Sequence, residues 1–142
     1  MLSRPTVLRT WGLFFAAAAA IFGACRRDDT TSLTELQRLR SGALEIVLLS
    51  SRDALRHGRD AFVLEFRSTS SGTPVDVGNV RASATMPMPG MAMFGSVDVG
   101  RTSVTGRYAG SGQFEMAGTW RMTIDWEGPA GPGSVSFSIP VQ

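Results

Sequence analysis

The sequence predicts an all-β protein, an immunoglobulin-like antiparallel β-sandwich of about seven strands, with a small barrel as the alternative. Three observations support this prediction. Apolar and polar residues alternate along several segments after Gly42, glycine and proline mark turns between those segments, and no long stretch has the period of a helix. A chain of 142 residues, 43% hydrophobic and 18% charged, can form one such domain with a buried core.

Six segments show the alternation of half-buried strands. In the clearest one the apolar positions are Trp120, Met122, Ile124 and Trp126, and the residues between them are polar. The six lie at 44–48, 62–66, 80–88, 108–116, 120–126 and 135–141, and a weaker strand at 94–99 makes about seven. Because Pro87 and Pro89 each remove a backbone donor, we expect the third strand to end there or to lie at a sheet edge.

Residues 1–24 predict a lipoprotein signal peptide. Arg4 and Arg9 precede 13 uncharged residues, 12–24, and Cys25 follows directly. As a helix this stretch would span about 20 Å, which is too short for the roughly 30 Å hydrocarbon core of a bilayer. The motif FGAC resembles the lipobox of bacterial lipoproteins, although Phe22 stands where leucine is usual.

Cys25 is the only cysteine, so an exported chain forms no intramolecular disulfide. Its position directly after the apolar stretch favours acylation, and several acyl chains on one residue give stable membrane attachment. A free thiol beside an uncleaved anchor, or a metal or redox role, are the alternatives. We expect Cys25 to be lipidated and to anchor the chain to a bacterial membrane, on the periplasmic or cell-surface side.

The segment 25–41 is predicted to be the lipidated cysteine followed by a polar tether. A short docked helix is the alternative, because Ser32 and Glu35 have the spacing of a capping box and three leucines follow at a helical interval. The β-sandwich domain is predicted to cover residues 42–142.

Composition and residue counts exclude several functional classes. All 14 basic residues are arginine, and outside the leader 12 arginines balance 12 acidic residues, so the pI of about 9.5 gives no reason to expect a nucleic-acid partner. His57 is the only histidine, and the only cysteine is the one expected to be lipidated, which together exclude Cys/His catalysis, zinc ribbons and HExxH sites. The chain has neither a GxSxG motif nor a phosphate-binding glycine motif. We therefore expect no enzymatic activity.

The segment TMPMPGMAMF contains four of the six methionines outside the leader: Met86, Met88, Met91 and Met93. Thioether sulfur is a soft ligand that suits Cu(I), so these residues are candidate copper ligands. Met116, Met122 and Trp120 are accessory candidates, since a tryptophan face can cap a soft cation. Packing is the competing interpretation, because two of the four methionines continue the inward alternation of a strand and methionine fills irregular gaps. A methionine-rich surface for a protein partner is a third.

Three stretches of the chain resemble the YtkA-like domain, which is shared with the periplasmic part of FixH-type proteins. The stretches are HGRDAFVLEF, GTPVDVGNVRASATMPMPGM and GRYAGSGQFEMAGTWRMTIDW. The resemblance covers about Leu44 to Trp126 and includes the MPMPGM motif. It implies an immunoglobulin-like sandwich outside the cytoplasmic membrane, in a family of which some members occur beside copper-handling or efflux machinery and which has no defined reaction. Several relatives have histidine in or after the methionine loop. This chain has none there, so a site would be almost purely thioether.

The sequence thus predicts a non-enzymatic, membrane-anchored periplasmic lipoprotein that binds or delivers Cu(I). The alternative is a protein-interaction module of an efflux or oxidase-assembly complex with no metal site.

Overall fold

The computed structural model describes residues 32–142; the predicted signal peptide, Cys25 and the first part of the predicted tether lie outside the described residues. The described part contains eight strands: β1 Thr34–Ser41, β2 Leu44–Ser50, β3 Gly58–Ser68, β4 Asn79–Met88, β5 Met91–Arg101, β6 Arg107–Phe114, β7 Gly118–Glu127 and β8 Gly133–Val141. Within this range, no helix is long and apolar enough to cross a bilayer.

The eight strands form one antiparallel sheet in the order β1-β2-β3-β6-β5-β4-β7-β8. Strand β5 joins its two halves, because residues 91–95 pair with β4 and residues 96–101 pair with β6. The edge strands β1 and β8 contact each other, so the sheet is nearly closed like a barrel. The predicted all-β antiparallel fold is confirmed, with eight strands instead of about seven.

The inward positions of the predicted strands form one core. In β7 the four apolar residues are buried, whereas Arg121 and Asp125 between them are exposed. Aromatic rings pack edge to face in this core: Phe66 lies 5.5 Å from both Tyr108 and Trp126, and Phe114 lies 5.3 Å from Trp120. Such pairs contribute about 0.5–1.5 kcal/mol beyond the area that they bury.

Strand β1 is the main difference from the sequence prediction. We expected a polar tether up to Ser41, or a short docked helix, and the structure has a strand that pairs with β2. The pairing register shifts between Glu35 and Gln37, which leaves Leu36 as an extra residue in a β-bulge. Leu36 and Leu39 therefore both pack against the core despite their helical spacing. The folded body begins before residue 42.

The body has two ends. The hairpin end contains the start of β1, the β2–β3 loop (51–57), the tip of the β4–β5 hairpin and the β6–β7 turn (115–117). The far end contains the turns and loops at 42–43, 69–78, 102–106 and 128–132. Since Thr34 pairs with Ser50 and Gly118 pairs with Val141, β1 begins and β8 ends at the hairpin end.

A buried carboxylate on β3 links two neighbouring strands. Glu65 is 6% exposed and accepts hydrogen bonds from Nε of Arg67 at 3.1 Å and Nε of Arg107 at 3.0 Å, with ion pairs to both guanidinium groups. Burial raises the pKa of Glu65, but the hydrogen bonds and charges of the two arginines outweigh burial and hold the pKa below its ordinary value. Arg107 is the direct cross-strand partner of Glu65, so this contact joins β3 to β6.

Acid should weaken the fold in part through Glu65. A carboxyl group whose pKa is lowered by folding stabilises the fold above its unfolded value, and this contribution is lost as pH falls through the folded value. We expect it to be lost below the ordinary value of 4.5. Urea unfolding should therefore show Glu65→Gln less stable than the wild type near pH 7 and closer to it near pH 3. An equal stability difference at both pH values would contradict this role.

Candidate functional site

The predicted methionine loop is the tip of a tight β-hairpin. Pro89 and Gly90 form its two-residue turn, and Gly90 has a φ of 79°. Proline followed by a residue with positive φ is the pattern of a type II turn. The turn fixes the register of the strands that it joins.

This register places the four methionines on one face. Met88 pairs directly with Met91, and Met86 pairs directly with Met93. Directly opposed residues share a face of the sheet, and residues two apart along a strand do so as well. We call the resulting set the methionine face: Met86, Met88, Met91 and Met93.

The hairpin tip projects beyond the rest of the sheet. Pairing of β4 with β7 ends at Thr85, and β5 pairs with β6 only from Ser96 onward. Residues 86–88 and 91–93 therefore pair only with each other, as a free two-stranded ribbon, and the Thr85–Phe94 pair forms its base. The prediction that the strand ends or lies at a sheet edge near Pro87 is confirmed, since that part of β4 has no β7 neighbour.

Exposure increases along the methionine face toward the tip. Met86 and Met93 are half-buried and pack against the core, in agreement with the packing interpretation. Met88 is 38% exposed and Met91 is 69% exposed, so packing does not account for the outer pair. The face thus has an inner pair supported by the core and an outer pair open to solvent.

The β6–β7 turn lies against this face. A Cβ atom on Gly118 would lie 2.1 Å from Cε of Met86, so the Met86 side chain packs directly on the backbone at Gly118 and would have to move for a larger residue. Met116, two residues earlier in the same turn, is 41% exposed, and its carbonyl oxygen accepts a hydrogen bond of 3.0 Å from Nε1 of Trp120. Met116 thus lies two residues along the chain from the contact between Gly118 and Met86.

The other two accessory candidates lie beneath the site. Trp120 and Met122 are fully buried. Trp120 packs against Phe114, and Met122 lies between Ala84 of β4 and Phe137 of β8 in the strand pairing. Both support the base of the hairpin and present no surface to a ligand from solvent.

The donor atoms available at the tip are thioether sulfurs. No group of histidine, cysteine, aspartate and glutamate side chains suited to a metal ion occurs in residues 32–142. His57 lies in the β2–β3 loop at the same end, where its backbone nitrogen donates to the carbonyl oxygen of Gln142 at 2.7 Å. A thioether set of this kind fits Cu(I) and is a poor match for harder cations.

Sequence reasoning did not identify two residues of this region. Phe94 is 73% exposed on the face of the ribbon opposite the methionine face, where Thr85 is its cross-strand partner. One indication was present in the sequence: Phe94 directly follows Met93, so in a strand its side chain points to the face opposite Met91 and Met93. Gly118 lies in a stretch that resembles the YtkA-like domain, but its close approach to Met86 depends on packing between distant segments and has no signal in the sequence.

A concave surface of the molecule lies elsewhere. A cavity of about 420 Å³ at the far end is lined by Asn79, Trp126 and Gly133 among others. The methionine face is a projecting surface and not part of this pocket.

Comparison with known proteins identifies relatives. A family model described as YtkA-like matches residues 39–125, which is more than half of the chain and includes the whole hairpin. No curated protein matches the chain.

Three solved structures show structural similarity. FetP of a uropathogenic Escherichia coli strain, as isolated after periplasmic expression, has a TM-score of 0.52 at 12% identity, and the alignment covers 76% of this chain and 95% of that one. A copper-bound variant of FetP has a TM-score of 0.48 at 11% identity, covering 76% and 91%. The C-terminal domain of ZirS has a TM-score of 0.45 at 14% identity, covering 100% and 86%. At such identities the first similarity shows the fold alone, and the two lower scores add no argument.

Proposed function

The chain belongs to the YtkA-like family, and on that basis we propose that it is a non-enzymatic lipoprotein that binds or delivers Cu(I) through its methionine face. Cys25 anchors it to a bacterial membrane, on the periplasmic or cell-surface side. The anchor is supported by the export leader and the lipobox-like FGAC motif.

One observation supports copper binding above the others: the hairpin register sets Met88 opposite Met91 and Met86 opposite Met93. Four soft donors on one short ribbon are a suitable ligand set, because flexible thioether side chains can turn toward a common ion. Cu(I) favours such sulfur donors over oxygen donors.

The exposure gradient fits delivery as well as binding. The core holds the inner pair, Met86 and Met93, whereas the outer pair is accessible. Met88 and Met91 would hold the ion where the ligands of a membrane-bound partner can reach it. Met116 in the neighbouring turn is the candidate for an additional ligand.

Titration with Cu(I) against a chelator of known affinity tests this proposal. The double variant Met88→Leu and Met91→Leu keeps side-chain volume and removes two donors. We expect it to lose more than about 100-fold in affinity, since the loss of an outer-shell partner alone costs about 10- to 100-fold. Because both side chains are exposed, the free energy of unfolding should change by less than about 1 kcal/mol.

Met122→Leu is the matched control, because it makes the same chemical change in the core. It should leave Cu(I) affinity unchanged. Equal affinity of the double variant and the wild type, or negligible affinity of the wild type, would reject the copper site. An interaction module that docks on a membrane complex would then be the better hypothesis, since Met91 and Phe94 give the ribbon exposed apolar surface on both faces.

A further inference from the structure

We propose that the hairpin end rests on the lipid surface of the membrane, with Met91 and Phe94 in the headgroup layer. This inference rests on the proposed acyl anchor at Cys25. It adds the orientation of the body and the surface that its exposed apolar side chains contact.

The position of the anchor is the first argument. Strand β1 begins at Thr34, at the hairpin end, and only eight residues, 26–33, separate it from Cys25. The nine Cα–Cα steps from Cys25 to Thr34 span at most about 32 Å. Strand β1 runs from the hairpin end to the far end over eight residues, about 27 Å. Placing the far end on the membrane would therefore need a connection that runs back along the body and is extended over most of its length, whereas the hairpin end reaches the surface with slack.

The distribution of apolar side chains is the second argument. Four of the exposed large hydrophobic residues lie at the hairpin end, and Val104 lies at the far end. The four are Met88, Met91, Phe94 and Met116. The ribbon presents Met91 on one face at its tip, and Phe94 lies on the other face at its base, where Thr85 still pairs with β7. A ribbon of this shape can enter the headgroup layer and remove both side chains from water, which is favourable in proportion to the apolar area.

The tether reduces the affinity that this contact needs. A short flexible connection makes the contact intramolecular, with an effective concentration in about the millimolar range. A few apolar side chains then suffice to hold one orientation, although they would not bind a free domain to a membrane.

Charge at this end is compatible with anionic lipid. Arg52, Arg56 and Arg59 are exposed in and beside the β2–β3 loop, where Asp53 is the exposed acid, and Glu35 and Glu115 are exposed elsewhere at this end. Asp60 is buried and forms an ion pair with Arg52, with 2.6 Å between Oδ1 of Asp60 and Nη1 of Arg52. The side chain of Arg52 remains 52% exposed. Arginine near a membrane surface is attracted to lipid phosphates.

Fluorescence quenching on the full acylated chain tests the orientation. The acylated sulfur of Cys25 does not react with thiol probes, so Met91→Cys and Val104→Cys each provide one labelling site, at the hairpin end and at the far end. Both positions are exposed, which limits the effect of substitution on folding. In vesicles of phosphatidylethanolamine and phosphatidylglycerol that contain a spin-labelled lipid, we expect severalfold stronger quenching at position 91 than at position 104.

Two further measurements separate the possible failures. The mass of the purified chain reports acylation: an unmodified Cys25 overturns the proposed anchor and the orientation with it. An acylated chain with equal quenching at both positions overturns the orientation alone. A label at Phe94→Cys should reproduce the result for position 91. Adding Phe94→Ser to the Met91→Cys chain should reduce quenching severalfold, and unchanged quenching would overturn the role of the apolar side chains.

Discussion

Trp120→Ala should lower the free energy of unfolding by about 3–5 kcal/mol, the range for large aromatic side chains removed from a core. Trp120 is fully buried, packs edge to face on Phe114 and lies close enough to Gly95 that a Cβ there would be 3.2 Å from its ring. The cavity would be rigid on the side of Gly95, because both β4 and β6 hold that part of the chain. Chemical denaturation followed by circular dichroism measures the loss.

Trp120→Phe separates packing from hydrogen bonding. It keeps an aromatic ring in the core and removes the Nε1 donor to the carbonyl oxygen of Met116. We expect a cost nearer about 1–2 kcal/mol. If Trp120→Ala is as mild as Trp120→Phe, the site collapses around the smaller residue, and the core beneath the hairpin is less rigid than the burial of Trp120 indicates.

Gly78→Ala should destabilise the far end by about 2–4 kcal/mol. Gly78 has a φ of 84°, and a Cβ there would lie 2.3 Å from the carbonyl oxygen of Glu127 and 2.5 Å from Cα of Gly128. Both are backbone atoms, so β4 would have to move away from the end of β7. The shift would also disturb the carbonyl oxygen of Gly78, which accepts a hydrogen bond of 3.0 Å from the hydroxyl of Tyr108.

Gly72→Ala provides the matched control for Gly78→Ala. Gly72 has a φ of 69°, and a Cβ there would meet no atom within 4 Å. It should show only the cost of an alanine in the left-handed region, about 1–2 kcal/mol. The difference between the two variants in thermal or urea unfolding measures the steric contact. Equal losses would show that the contact between β4 and β7 relaxes without cost.

Much of the fold followed from alternation along the chain. The inward residues of β7, Trp120 to Trp126 at every second position, are buried as predicted. Alternation failed at β1, because the bulge at Leu36 changes the spacing of inward residues from two to three. The start of β5 was also predicted too late, at residue 94 instead of Met91. Residues 91–93 pair only with the tip of β4, and the sequence pattern there was interpreted as a loop.

The candidate site was likewise predicted in part from the sequence and in part not. The four methionines were identifiable by their types and spacing, and Pro87 and Pro89 indicated that the strand ends there or lies at a sheet edge. Their sequence did not indicate which of them the core covers. Met122 and Met88 both lie at inward positions of predicted strands, yet one is fully buried and the other is 38% exposed.

From the order of its residues alone, this chain determines most of its strands, the inward or outward direction of their side chains and the soft chemistry of the tip, because those properties depend on near neighbours. The tertiary structure decided where β1 forms and how far each strand extends past its partners. Pairing between distant segments sets that length, and it leaves residues 86–93 as a ribbon beyond the sheet, with Gly118 of β7 packed against Met86. Local periodicity contains no information on where a neighbouring strand stops.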